Sequence, residues 1–190
     1  MLKKVVAAGV LGGIVLFGWT FVINGIFGFN RHLNMNQISD ERFVYDVLKS
    51  SIVEPGRYIA NPELTPAGIF PDGEPVFSIH YSGMGHDVAG KLMLFQLAIF
   101  LLVPVIAAWK LSLANERVLN SYWCKVRFTS TFGLLFALYG DLMSIGIDNY
   151  SLLDAFCLAV EDIFAWILVG LVVAWRLQPS QSPLPSPSTA

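Results

Sequence analysis

Four acidic residues lie inside the last two apolar stretches of this sequence, where charged side chains are rare. They are Asp141, Asp154, Glu161 and Asp162. Carboxyl groups at membrane depth can carry a proton, bind a cation or contact a basic group of another subunit. Neither stretch contains lysine or arginine, so we expect Glu161 or Asp162 to be protonated. The structural alternative is a set of neutral acids that form hydrogen bonds across the bundle, to Ser144, Tyr139 or Gln96.

Helical spacing predicts how these acids are arranged. Asp154 and Glu161 are seven residues apart and share a helix face, whereas Asp162 points about 100° away from Glu161. Counted back from the turn between the two stretches, Asp141 lies at a depth between Asp154 and Glu161. Two further polar residues belong to the outer halves of their own stretches, Asn24 and Gln96. We therefore expect a water-accessible cleft in the outer half of the bundle.

The last apolar stretch, residues 152–175, is predicted to insert only with help from neighbours. Its 13 Leu, Ile, Phe and Val residues contribute roughly −6 kcal/mol on an insertion scale. Each central acid opposes insertion by about 2.5–3.5 kcal/mol. The net free energy of insertion is therefore close to zero, so we expect other helices or another subunit to cover this helix.

A second group with possible chemistry is His80, His86 and Asp87, with Met84 between the histidines. Imidazole and thioether groups suit copper, and a carboxylate can join them for other metals. The spacing matches no established metal motif, so a strand end and a glycine turn are the default interpretation. The sequence has no nucleotide-binding, hydrolase or zinc-protease motif. It identifies no cofactor and favours a protein that is not an enzyme.

Composition predicts an integral membrane protein, because 55% of the 190 residues are hydrophobic and only 14% are charged. Four apolar stretches are each long enough to cross about 30 Å of hydrocarbon as a helix. We therefore predict a mainly α-helical fold with four transmembrane helices. Residues 1–28 form the first, a retained signal anchor, residues 91–177 hold helices 2–4, and the Pro- and Ser-rich residues 178–190 form a disordered cytoplasmic tail. Gly9 and Gly13 form a GxxxG pattern that predicts close helix packing.

The polar residues 29–90 are predicted to form a small α+β extracytoplasmic domain between helices 1 and 2. Apolar residues at helical spacing predict a helix over 40–51, with a cap at Ser39–Arg42. Residues 57–60 and 75–82 have the pattern of short strands. One helix on so small a sheet has too little core for independent stability, so we expect the membrane part to support it.

Charge predicts the orientation. With four crossings, the face that carries both termini has seven basic residues and one acid, and the opposite face has five basic residues and nine acids. The positive-inside rule then puts both termini in the cytoplasm and residues 29–90 outside, in the periplasm if the source is bacterial. Four tryptophans lie near the predicted interfaces, as in an aromatic belt: Trp19, Trp109, Trp123 and Trp175.

These features favour a non-enzymatic or accessory subunit of a larger membrane assembly. Its expected partners are the lipid bilayer and other membrane subunits or further copies of itself, and not nucleic acid. One alternative is a proton- or ion-coupled transporter that uses the intramembrane carboxyl groups and is gated near Pro104. A second alternative is a membrane enzyme with a metal at His80 and His86.

Overall fold

The structure is a computed structural model that describes residues 2–34, 37–147 and 150–177. The predicted tail, residues 178–190, lies outside the described residues. The fold is mostly helical, with one small two-stranded sheet. The elements follow in chain order: α1 (Leu2–Thr20), the π-helical turn π1 (Phe21–Ile26), α2 (Phe29–Asn34), α3 (Glu41–Ser51), β1 (Gly56–Ala60), β2 (Phe77–Tyr81), α4 (His86–Ser112), α5 (Glu116–Leu119), α6 (Tyr122–Phe136), the π-helical turn π2 (Ala137–Asp141), α7 (Ser144–Ile147) and α8 (Leu152–Arg176).

Three helices in the described part of the chain are long and apolar enough to cross a membrane. They cover Leu2–Ile26, Gly90–Ser112 and Leu152–Arg176, which confirms the first, second and fourth predicted stretches as helices. Local chemistry explains where α8 begins, because the Ser151 hydroxyl accepts a hydrogen bond from the Asp154 backbone N–H at 3.1 Å.

The third predicted stretch, residues 128–147, is not a single helix. It begins earlier, at Tyr122, where the Ser121 hydroxyl caps α6. It is then divided by π2, in which the N–H of Leu142 bonds to the carbonyl of Ala137, five residues back. Gly140 lies inside this turn and weakens regular helix there. Neither α6 nor α7 alone has the length of a membrane span.

The buried core lies in one half of the bundle, which contains the start of α1, the end of α4, the start of α6 and the end of α8. We call this the proximal half and the opposite one the distal half. The core residues are small or aliphatic, except for one tryptophan at the middle: Val5, Ala8, Ala107, Ala108, Leu111, Trp166, Val169 and Val173. In the distal half, every described side chain from 90 to 99 on α4 is exposed. The main core therefore lies in the proximal half. In the distal half Ala137, Ala155 and Ala159 are also buried, but α4 is exposed there.

Gly9 and Gly13 face α4. A Cβ atom at Gly9 would overlap the Cα of Val105, and one at Gly13 would lie 2.6 Å from the carbonyl oxygen of Phe100. Only glycine allows the two backbones to approach so closely at these points.

Lys125 is a buried basic residue in the proximal half, with only 1% of its surface exposed. Its Nζ donates a hydrogen bond to the carbonyl oxygen of Leu177 at 3.0 Å, so it caps the carboxyl end of α8. Burial lowers the pKa of this ammonium group, because the charged form loses hydration.

The polar segment contains the predicted helix and two strands. Asp40 caps α3 by accepting a hydrogen bond from the N–H of Phe43 at 3.2 Å. β1 and β2 pair antiparallel, with Arg57 opposite His80. None of the described residues from 37 to 85 is buried, so α3 and the hairpin share no core. The expected packing of this helix on this sheet is therefore not present.

Candidate functional site

The distal half of the bundle encloses a cavity of about 510 Å³. Its walls come from α1, π1, α4, the end of α6, π2 and α8, so residues distant in sequence meet there. The polar lining residues are Thr20, Asn24, Gln96, Asp141, Glu161 and Asp162. The structure thus brings together three of the four predicted acids with the two predicted amide side chains.

Both π-helical turns contribute to this lining. Asn24 lies in π1 and Asp141 lies in π2. A π turn inserts one extra residue per turn and so rotates the side chains that follow it, and such turns are frequent at functional sites. Apolar periodicity carries no signal for them, so the sequence did not predict these two irregularities.

Glu161 is held by a residue of α1. The indole N–H of Trp19 donates a hydrogen bond to Oε1 of Glu161 at 2.7 Å. The Trp19 ring also packs against Phe164, with ring centroids 4.8 Å apart. This hydrogen bond was not predicted from the sequence, because Trp19 fitted an aromatic belt. Trp19 lies five residues before Asn24 in the same helical stretch, and this spacing could have indicated that the two side chains lie at a similar depth.

Asp141 and Asp162 form a carboxyl pair. Their side chains are within hydrogen-bonding range of each other. Oδ2 of Asp141 is buried and has no hydrogen-bond donor among the described residues. Two ionised carboxylates at this separation would repel each other, so we expect the pair to share one proton.

The other predicted acid, Asp154, lies in the first turn of α8 and does not line the cavity. The expected hydroxyl partners are also elsewhere. The Ser144 hydroxyl bonds to the backbone carbonyl of Asp141, and Tyr139 is 82% exposed. Of the three expected partners, only Gln96 reaches the cavity.

The structure describes the side chain of only one of the three candidate metal ligands. His80 lies on β2, whereas the side chains of His86 and Asp87 lie outside the described residues. Within the part of the chain that the structure describes, no group of three His, Cys, Asp or Glu side chains is placed to hold a metal ion.

No family model matches this sequence, and no curated protein or solved structure is similar to it. The chemistry of the cavity therefore rests on its own residues. Three carboxyl and two amide groups supply oxygen atoms that can accept hydrogen bonds from a protonated ligand or bind a cation. Leu16, Ile99, Phe100, Val103, Phe136 and Trp166 are among the residues that supply the apolar part of the wall.

Proposed function

We propose that this protein is a non-enzymatic or accessory subunit of a larger membrane assembly. The observation that carries the proposal is the absence of any buried residue among the described positions 37 to 85. Large apolar side chains are exposed there, including Phe43 at 63%, Ile59 at 65% and Phe77 at 60%. A helix and a two-stranded hairpin without a core are not stable alone in water, so this surface needs a covering partner.

Charge favours a different subunit as that partner. Residues 37–85 contain seven acids and three basic residues, a net charge of −4. This charge disfavours contact with an anionic lipid surface. It also disfavours self-association, because two such surfaces would repel each other. A membrane protein with an apolar face and a basic rim is the complementary partner.

The proposal includes a topology of four crossings, with both termini in the cytoplasm and residues 29–90 extracytoplasmic. The charge asymmetry between the two faces supports it. The packing of α6 and π2 along α8 also supports a third crossing, although π2 interrupts its helix. To test it, Ser82→Cys and Ser112→Cys can each be made in a Cys124→Ser, Cys157→Ser background. Only Ser82→Cys should react with a membrane-impermeant maleimide in intact cells, and the reverse result would overturn the topology.

Purification in mild detergent tests the subunit proposal directly. Wild-type protein should co-purify with a stoichiometric membrane partner. Phe43→Asn with Val47→Asn changes the apolar face of α3 and should remove that partner, while Lys49→Asn, on the opposite face, should retain it. A wild-type protein that runs alone and fully stable would overturn the proposal.

Proton or cation handling is the second candidate function, and the cavity favours it. Asp141, Glu161 and Asp162 meet there without a basic residue in the lining. Pro104, the expected gate, is fully buried and lies against α1, where a Cβ atom at Gly12 would be 3.4 Å from its Cβ. In proteoliposomes, Glu161→Gln with Asp162→Asn should abolish pH-dependent flux, whereas Asp154→Asn should not. Unchanged flux in the double variant would reject this candidate.

A further inference from the structure

The cavity of the distal half has an apolar floor. The contact between Gly13 of α1 and Phe100 of α4 marks the level of this floor. Within about one helical turn of that contact the lining residues are apolar: Leu16, Ile99, Phe100, Val103 and Trp166. The Phe136 ring stacks on Trp166, with ring centroids 6.0 Å apart, and extends the floor along one wall. A ligand that reaches this level therefore needs an apolar surface.

Polar side chains line the cavity farther toward its distal end. The hydrogen bond between Trp19 and Glu161 marks their level. Gln96 lies between this level and the floor, and Leu158 is an apolar exception on the distal side of the acids. The cavity exposes polar as well as apolar surface, so a ligand inside it meets both. The polar lining residues beside the Trp19 bond or beyond it are Thr20, Asn24, Asp141, Glu161 and Asp162.

One small molecule can span the two levels. Glu161 and Trp166 are five residues apart on α8, which is about 7.5 Å along the helix axis. The cavity volume of about 510 Å³ is also typical of a small-molecule site. An inorganic cation would occupy only the level of the acids and would leave the floor to water, which finds few hydrogen-bond partners there. A cation with an apolar body fills both levels.

The charge of the lining selects a positive ligand. The described residues that line the cavity include three acids and no lysine, arginine or histidine. The pair of Asp141 and Asp162 keeps one negative charge when it shares one proton. An anion would be repelled there, and a neutral ligand would leave that charge unpaired. Carboxyl and amide oxygens accept hydrogen bonds from N–H groups, and a primary ammonium group supplies three of them.

We propose that this cavity binds a primary organic ammonium ion, with its N–H groups at Asp141, Glu161 and Asp162 and its apolar body on the floor. The proposal rests on the second candidate function, cation handling in this cavity, and names the class of cation. It is independent of the subunit proposal, which concerns residues 37–85.

Phenethylammonium is a suitable probe, because its ring and its primary ammonium group lie at opposite ends of a short chain. Hydrocinnamate has nearly the same shape and the opposite charge, the N-trimethyl derivative keeps the charge without an N–H group, and methylammonium lacks the apolar body. Binding to the full-length protein in detergent can be measured by equilibrium dialysis, with protein-free micelles as the blank. Phenethylammonium should bind, and each of the other three ions should bind at least about tenfold more weakly. Failure of phenethylammonium to bind, or equal binding of any of the other ions, would overturn the proposal.

Variants at the acids locate the ammonium group. Glu161→Gln should weaken binding of phenethylammonium about tenfold, and its amide oxygen can still accept the Trp19 N–H, so the fold should be kept. Asp162→Asn should have a similar effect without any change to that hydrogen bond. Asp154→Asn, on the same helix but outside the cavity, should bind the probe as the wild type does. Unchanged binding in both cavity variants would overturn the proposal.

Two isoleucines of α4 provide a matched pair of variants for the floor. Ile99 lines the cavity and is 42% exposed, whereas Ile106 does not line it and is 43% exposed. Ile99→Ala should weaken binding of phenethylammonium about threefold, and Ile106→Ala should leave it unchanged. Equal effects of the two substitutions would show that the apolar body does not lie on the floor and would overturn the proposal.

Flux measurements separate this proposal from the function on which it rests. Binding of phenethylammonium without pH-dependent flux in proteoliposomes would retain the binding site and reject transport. Flux in a protein that does not bind phenethylammonium would retain proton handling and overturn the present proposal.

Discussion

The indole nitrogen of Trp19 and Oε1 of Glu161 are 2.7 Å apart, and their hydrogen bond joins the first long helix to the last. The last helix carries the acids that oppose its insertion, so this bond satisfies one of them within the chain. It also fixes Glu161 in the wall of the cavity in the distal half. The same contact therefore serves both stability and the arrangement of the cavity.

Removal of this donor should destabilise the bundle. Trp19→Phe keeps an aromatic ring near Phe164 but leaves the Glu161 carboxyl without its donor. We expect the free energy of unfolding to fall by about 1–2 kcal/mol. Thermal unfolding in detergent measures the change, with Trp175→Phe, at a 59% exposed tryptophan, as the control. Equal effects of the two substitutions would contradict a specific role of the Trp19 bond.

The close approach of α1 and α4 should be sensitive to a single methyl group. Gly9→Ala would put a Cβ atom into the Val105 backbone, so the helices must separate. We expect a loss of about 1–3 kcal/mol in unfolding free energy. Gly18→Ala is the matched control on the same helix, because no atom lies within 4 Å of its new Cβ. It should be neutral or slightly stabilising, since alanine favours helix.

The proton that we expect Asp141 and Asp162 to share should be detectable by infrared spectroscopy. Infrared spectra should contain the C=O stretch of a protonated carboxyl group. This band should disappear in Asp162→Asn, because the amide N–H can replace the shared proton as the donor to Asp141. Asp154→Asn should leave the band in place. A band that survives in Asp141→Asn and Asp162→Asn alike would show that the proton is elsewhere.

Because burial lowers the pKa of Lys125, the free energy of unfolding should depend on pH in the alkaline range. Its pKa is lower in the folded state than in the unfolded state, so the unfolded chain binds more protons between these two values. Its contribution to stability is therefore greatest above the unfolded pKa and is lost as pH falls through the folded pKa. The difference in unfolding free energy between wild type and Lys125→Met should increase as pH rises through this window. Denaturation at several alkaline pH values tests this, with Lys110→Met at an exposed position as the control.

The long helices and the two strands were predicted well from the sequence, because the length of an apolar stretch and the identity of a capping residue determine structure within a few helical turns. The cap at Asp40, the two strands and the three long helices are examples. Helical spacing and depth also indicated that the acids gather in one half, and Asp141, Glu161 and Asp162 do line one cavity. Asp154 does not, since depth along a helix does not determine where the bundle opens.

The remaining features depend on contacts between distant segments. The Trp19–Glu161 bond requires the relative rotation of α1 and α8, which their mutual packing determines. The burial of Lys125 depends on the end of α8, 52 residues away. The π turns at Asn24 and Asp141 change the helix register without changing the apolar pattern. No local pattern in the sequence encodes these relations.

The two glycine contacts set how much of α4 is free to move relative to α1. The helices touch at Gly9 and Val105 and again at Gly13 and Phe100, and Gln96 lies four residues beyond Phe100 along α4. At about 1.5 Å per residue this free segment is about 6 Å long, so a rotation of about 5° at Phe100 would move Gln96 by only roughly 0.5 Å. The α1 wall and the α4 wall of the cavity are therefore held at a nearly fixed separation by two residues that have no side chain.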